Sequence, residues 1–156
     1  MPSRIALEVS YAARRPWVPR RAQFELWAAA ALAAGQRAAP AQPQVLSVRV
    51  VGAARSRSLN AHYRNKDTPT NVLSFSGAGS APDGRRYLGE LVICAPVVAR
   101  EAREQGKVRD SHWAHMTVHG VLHLLGFDHE RDTEARKMAA REVQILDRLG
   151  FSNPYV

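Results

Sequence analysis

Hydrophobic and polar positions change their period along the chain, and the changes outline its elements. Ile5, Leu7 and Val9 alternate with small or polar residues, the two-residue period of a strand with one buried face. Beyond Pro16 and Pro19, Phe24, Trp27, Ala28, Ala31 and Leu32 recur at helical spacing, and Gly35 with the Pro40 and Pro43 segment ends that helix. Period two returns at Leu46, Val48 and Val50. Residues 53–63 read as a helix, and the turn chemistry of 65–69 opens onto a short strand at 72–75. The glycine-rich stretch 77–84 reads as a loop leading to a strand at 88–94, so the two strands are expected to pair as a long-looped hairpin. Pro96 suits the first turn of a helix running to about residue 105. Asp110 or Ser111 is expected to cap the next helix, which carries His112, His115, His119 and His123 and stops near Gly126. Asp132 or Thr133 is expected to cap the last, whose stripe of Ala135, Met138, Ala139, Glu142, Val143, Leu146 and Leu149 ends at Gly150. Strands early and in the middle, with helices around them, predict an α+β fold: a small mixed β-sheet packed with helices.

Composition narrows the possible functions more than the fold. A chain of 156 residues suits one domain spanning 1–156. The single cysteine, Cys94, cannot close an internal disulfide, the N-terminal residues lack a secretory pattern, and no apolar run approaches the ~20 residues that cross a bilayer. A cytoplasmic protein with no membrane partner is expected. Lys plus Arg number 22 against 14 Asp plus Glu, and the isoelectric point of about 10.5 makes nucleic acid the first expected partner. A generic arginine-rich surface would give the same charge.

Candidate chemistry concentrates in His119, His123 and His129. Residues four apart share a helix face, so His119 and His123 can present imidazoles to one ion, and Gly126 lets the chain turn His129 back toward them. Two histidines at this spacing commonly just pack or meet solvent; the third, with a glycine at the turn, points to a metal. Three nitrogen ligands with an open fourth position suit a catalytic metal on a helix of the C-terminal half and the turn after it, zinc first, one per chain, although imidazole also suits nickel, copper and iron. His115, one turn before His119, is ranked as a supporting or structural group, and Asp128 as a candidate for orienting a ligand, accepting a proton or capping. His62, His112, Cys94 and Met138 take structural roles, the last two as core side chains.

The spacing equals that of the metzincin proteases except that Gly120 stands where their catalytic glutamate would be. Glycine cannot take a proton, which argues against peptide hydrolysis and leaves phosphodiester hydrolysis, where a metal acidifies water and a cation steadies the phosphoryl oxygens.

Residues 59–75 (LNAHYRNKDTPTNVLSF), 88–93 (LGELVI) and 119–129 (HGVLHLLGFDH) together resemble the YbeY family of bacterial endoribonucleases. The resemblance covers most of the chain and is weak over residues 1–41. It implies a zinc-dependent, single-strand-specific RNase acting in 16S rRNA 3′-end maturation and ribosome quality control, in which activated water attacks the phosphodiester. It implies zinc on His119, His123 and His129, an important arginine at Arg64, and the small ribosomal subunit with its assembly factors as partners. A guanidinium suits the role through paired hydrogen bonds to phosphate; the structural alternative for Arg64 is an ion pair with Asp67 or Glu90. Glu90 and Phe127 depart from the family's more usual Asp and Tyr. Arg55, Arg57 and Lys66 are candidate RNA contacts, and so are Arg14, Arg15, Arg20 and Arg21 around Trp17, although Trp17 itself reads as a core residue. The competing function is a non-catalytic, ribosome-associated RNA-binding or assembly factor with a structural zinc.

Overall fold

The structure, a computed structural model, describes residues 5–36, 43–80, 83–128 and 130–156. Four strands among them form one sheet: β1 (Ile5–Tyr11), β2 (Gln44–Val51), β3 (Val72–Ser80) and β4 (Arg86–Cys94) in the order β1-β2-β4-β3. β1, β2 and β4 run parallel, and β3 runs antiparallel to β4, so the sheet is mixed and the expected hairpin is present. The helices are α1 (Arg21–Gly35), α2 (Ala53–Arg64), α3 (Ala95–Glu104), α4 (Arg109–Leu124) and α5 (Asp132–Arg148). The α+β class and the hydrophobic periods are as the chain predicts.

Alternation along the strands divides the interior in two. Leu46, Val48, Val50, Val72, Leu91 and Ile93 meet α1, α4 and α5 in the larger core, which includes Trp113 and Met138. Val51, Leu73, Val92 and Cys94 point the other way and pack with Leu59 of α2 and Val97 of α3. Consecutive strand residues thus serve opposite faces, the geometry of a sheet covered on both sides. Trp17 is only half-buried, with the Arg109 guanidinium 3.9 Å above its ring.

Two local expectations are corrected. The stretch 77–84 is not a loop throughout: β3 continues to Ser80, with Gly79 and Ser80 opposite Tyr87 and Arg86 past a register shift after Ser76. Ladder pairing to β4 and a bulge override the low strand propensity of glycine. The expected caps also move. Val108 and Arg131 occupy the N-cap positions of α4 and α5 without side-chain hydrogen bonds, while Asp110 and Asp132 lie in the first turns, where a negative charge favours the helix dipole.

α4 sits unusually close to the sheet at Gly120. A Cβ there would come 2.7 Å from Leu91 Cδ2 and 3.3 Å from Ser74 Oγ, and the Ser74 hydroxyl donates to the Gly120 carbonyl at 3.2 Å. The glycine that removes a metzincin-like glutamate is therefore also the residue that lets the histidine helix press against β3 and β4. At the end of α4, Gly126 takes φ +99, and the Phe127 amide returns to the Leu122 carbonyl at 3.0 Å. That left-handed turn is the predicted exit.

Candidate active site

A cleft of about 660 Å³ follows the chain from Thr70, just before β3, to Phe75 within it, and is lined also by Tyr63 and Arg64 of α2, His119 and His123 of α4, and Asp128 and Glu130 beyond it. Side-chain hydrogen bonds between α2 and the segment before β3 shape it. Asn60, almost fully buried, donates to the Thr68 carbonyl at 2.8 Å; the Ser56 hydroxyl donates to the Thr70 carbonyl at 3.0 Å and accepts the Thr70 amide at 2.9 Å. α2 ends at Asn65 in the left-handed conformation, and the amides of Asn65 and Lys66 both return to the Asn60 carbonyl. These contacts hold the end of α2, and with it Tyr63 and Arg64, against the start of β3.

Arg64 is exposed, and the acids weighed as its partners are engaged by other arginines. Arg57 grips Asp67 with two hydrogen bonds of 2.8 and 2.9 Å, and Arg49 holds Glu90 at 2.9 Å. Arg57 thus has its own acid partner. Arg55 and Lys66 are exposed at the two ends of the α2 region, and neither lines the cleft.

His119 and His123 lie one turn apart with ring centroids 4.9 Å apart and planes crossed at 78°. Behind them is a group that the sequence disguised as part of an apolar stripe. Glu142 of α5 is 1% exposed, and its Oε1 is 2.8 Å from His115 Nε2 and 3.0 Å from His119 Nδ1, while the Tyr155 hydroxyl donates to Oε2 at 2.8 Å. Burial by itself would raise this carboxyl; the hydrogen bonds and charge of His115 and His119 outweigh it and hold the group at about 2. An ionised carboxylate only accepts, so each imidazole donates to it. For a neutral His119 this places the proton on Nδ1 and the lone pair on Nε2, the form a metal ligand needs. Burial first, then the Glu142 charge, push the Tyr155 hydroxyl well above its ordinary range and keep it a donor.

His115, one turn before His119, is buried and bonded to the same Glu142 oxygen. His112 is likewise buried against Glu101 at 2.9 Å. Asp128 Oδ1 accepts the Glu130 amide at 3.1 Å, a turn-capping contact at the cleft rim. His129 lies outside the described residues. Among the described residues His119 and His123 are the converging pair, and no three His, Cys, Asp or Glu side chains are arranged to hold a metal ion. The pair fits a metal in the chemistry of its donors: two imidazoles on one helix face, the first fixed in tautomer by a buried carboxylate.

Glu142 is the residue that sequence reasoning missed. Its signal was a charge in the middle of the Met138, Ile145 and Leu146 stripe, since a carboxylate on a core-facing position requires buried donors.

Comparison with known proteins places the chain among relatives. The family profile described as Endoribonuclease YbeY matches residues 14–150. A protein named Endoribonuclease YbeY from Stenotrophomonas maltophilia strain R551-3 is 51% identical over 158 aligned residues, covering 99% of this chain and 95% of that protein. Another of the same name from Alkalilimnicola ehrlichii is 54% identical over 154, covering 96% and 90%. The solution structure of TM1509 from Thermotoga maritima shares the fold, with a TM-score of 0.59 at 20% identity over 92% of this chain and 89% of that one. With a family match that takes in the α2 motif, the β3–β4 hairpin and the histidine helix, and relatives more than half identical along nearly the whole length, the chain belongs to the YbeY endoribonuclease family.

Proposed function

We propose that this chain is a zinc-dependent, single-strand-specific endoribonuclease that matures the 3′ end of 16S rRNA and serves ribosome quality control in the cytoplasm, working with the small ribosomal subunit and its assembly factors. The observation that carries the reading is that Arg64, His119 and His123 line one cleft, with His119 held from behind by Glu142.

His119 and His123, with His129 as the third ligand, would hold one zinc ion. Bound there, zinc supplies Lewis-acid chemistry and acidifies water toward neutral pH. The protein's own share is positioning and charge. Arg64 offers a planar fork of donors to the scissile phosphate and stabilises charge that grows on its oxygens. Ser56 and Asn60 hold the end of the helix that presents Arg64, so the guanidinium starts from a fixed base. Glu142 keeps His119 in one tautomer. Gly120 offers no side chain to accept a proton, consistent with a phosphodiester substrate.

The test is metal content and cleavage of single-stranded RNA by wild type, His123→Ala and Arg64→Ala purified without added metal. One zinc per chain, lost in His123→Ala and retained in Arg64→Ala, with cleavage lost in both variants, is expected. Equal cleavage by all three proteins would refute the assignment, and a metal whose removal unfolds a protein that never cleaves would favour the binding-factor alternative.

A further inference from the structure

Tyr63 is the penultimate residue of α2, directly before Arg64, and lines the cleft. It remains 60% exposed although two rings hold it. His62 lies edge-on with its centroid 4.6 Å away at 87°, and Phe75 of β3, itself half-buried, lies 5.0 Å away at 64°. A tyrosine recruited for stability buries its ring and leaves the hydroxyl at the surface. Here rings from two elements steady a side chain that stays more than half in water, next in the chain to the arginine assigned to phosphate.

We propose that Tyr63, braced by His62 and Phe75, is a stacking platform for one unpaired nucleobase next to the phosphate held by Arg64. The proposal rests on RNA being the substrate and adds a base-binding subsite to it. The two residues are consecutive at one helix end and line the same cleft, so a base on the ring and a neighbouring phosphate on the guanidinium can be engaged by one strand. Every base has a π-face, which makes such a subsite tolerant of sequence. A base inside a duplex has both faces covered by its neighbours and reaches the platform only after unstacking. Tyr63 therefore supplies a physical origin for single-strand preference that the histidine pair, blind to base stacking, does not.

The experiment measures equilibrium binding of a labelled single-stranded RNA oligonucleotide in chelator, which stops turnover, for wild type, Tyr63→Phe and Tyr63→Leu. Leucine keeps an apolar contact for Phe75 while removing the π-face. Tyr63→Phe should bind like wild type and Tyr63→Leu about tenfold or more weakly, the usual cost of losing one base–aromatic stack. A series of oligonucleotides with one abasic position moved along the strand should contain a member that weakens wild type by a similar factor and leaves Tyr63→Leu unchanged, because the two losses remove the same contact. Unaltered melting temperature and zinc stoichiometry in Tyr63→Leu show that fold and metal site are intact. Equal binding by wild type and Tyr63→Leu, or abasic effects identical in both, overturns the platform. A protein that binds single strands through Tyr63 but never cleaves them would sink the endoribonuclease assignment and leave the platform standing.

Discussion

Replacing Glu142 separates metal-site support from ordinary packing. Its carboxylate accepts from His115, His119 and Tyr155 while 1% exposed. Moving a carboxyl from its ordinary 4.5 to about 2 favours the folded, ionised form by about 3 kcal/mol, since each tenfold change in proton affinity is worth about 1.4 kcal/mol. A depressed carboxyl contributes that stability in full above its ordinary value, so pH 7 is well inside the window. Breaking a buried charge network by deleting one partner costs about 3–5 kcal/mol, a range that overlaps this figure. Glu142→Ala should therefore lose about 3–5 kcal/mol in urea unfolding of the metal-free protein at pH 7. Glu142→Gln keeps the shape and one acceptor, so it should lose less stability. Its zinc affinity, measured by competition with a chromophoric chelator, should fall about 10- to 100-fold, the usual effect of losing a group that orients a histidine ligand. Glu90→Gln, which breaks the half-exposed Arg49 pair, is the control and should cost at most about 1 kcal/mol. If Glu142→Gln binds zinc as tightly as wild type, the carboxylate does not orient His119 as argued. If Glu142→Ala unfolds like Glu90→Gln, the network's energetic importance is wrong as well.

Three further outcomes are expected. Gly120→Ala sets about 1 kcal/mol of helix propensity against about 1–3 kcal/mol of overpacking on Leu91, so urea unfolding should show a net loss in most of that range; with Leu91→Ala the combined loss should be smaller than the sum, and strict additivity would contradict the contact. Glu101 accepts from His112 and Asn71, with Arg100 and Lys107 also near it; burial raises its carboxyl but these hydrogen bonds dominate and lower it. Stability that Glu101 provides is then complete above its ordinary 4.5 and disappears as pH falls through the lower folded value, so the gap between wild type and Glu101→Gln in acid titrations should close below that pH; a constant gap refutes it. Binding of single-stranded RNA should weaken steeply as salt rises, and Arg64→Lys should keep that slope while losing turnover, because lysine preserves charge but not the paired donors; full turnover by Arg64→Lys would remove the clamp.

What could be read from the chain alone was whatever a local period encodes. The spacing of His115, His119 and His123 put them on one helix, the alternation at Leu46, Val48 and Val50 located β2, and Gly126 marked the end of α4 because a left-handed turn there suits glycine. Contacts between distant segments were hidden. Glu142 finds its histidines 23 and 27 residues earlier in the chain, and helical periodicity says which face a residue occupies without saying what waits opposite. Sequence alone marks Arg57 as an RNA contact and Asp67 as a turn residue or a partner for Arg64, whereas the loop between α2 and β3 brings Asp67 to Arg57. Residues 77–80 were misjudged because glycine propensity is local and ladder pairing to β4 is not.

The sheet order has a dynamic consequence. β3, which runs along the cleft, is an outer strand whose ladder partner is β4, a strand that comes later in the chain, whereas β4 is also secured to β2. Peeling β3 away would disrupt one ladder, the Ser74 hydrogen bond to Gly120 and the Val72 contact with the larger core, and leave the parallel β1-β2-β4 core paired. Opening of the cleft is thus a sub-global event with a lower free energy than complete unfolding, and amide hydrogens of β3 would exchange with solvent sooner than those of Val48 or Leu91. His119 and His123 sit on α4, which packs on α1 and β4 as well as on β3, so the pair keeps its support when the strand beside it yields.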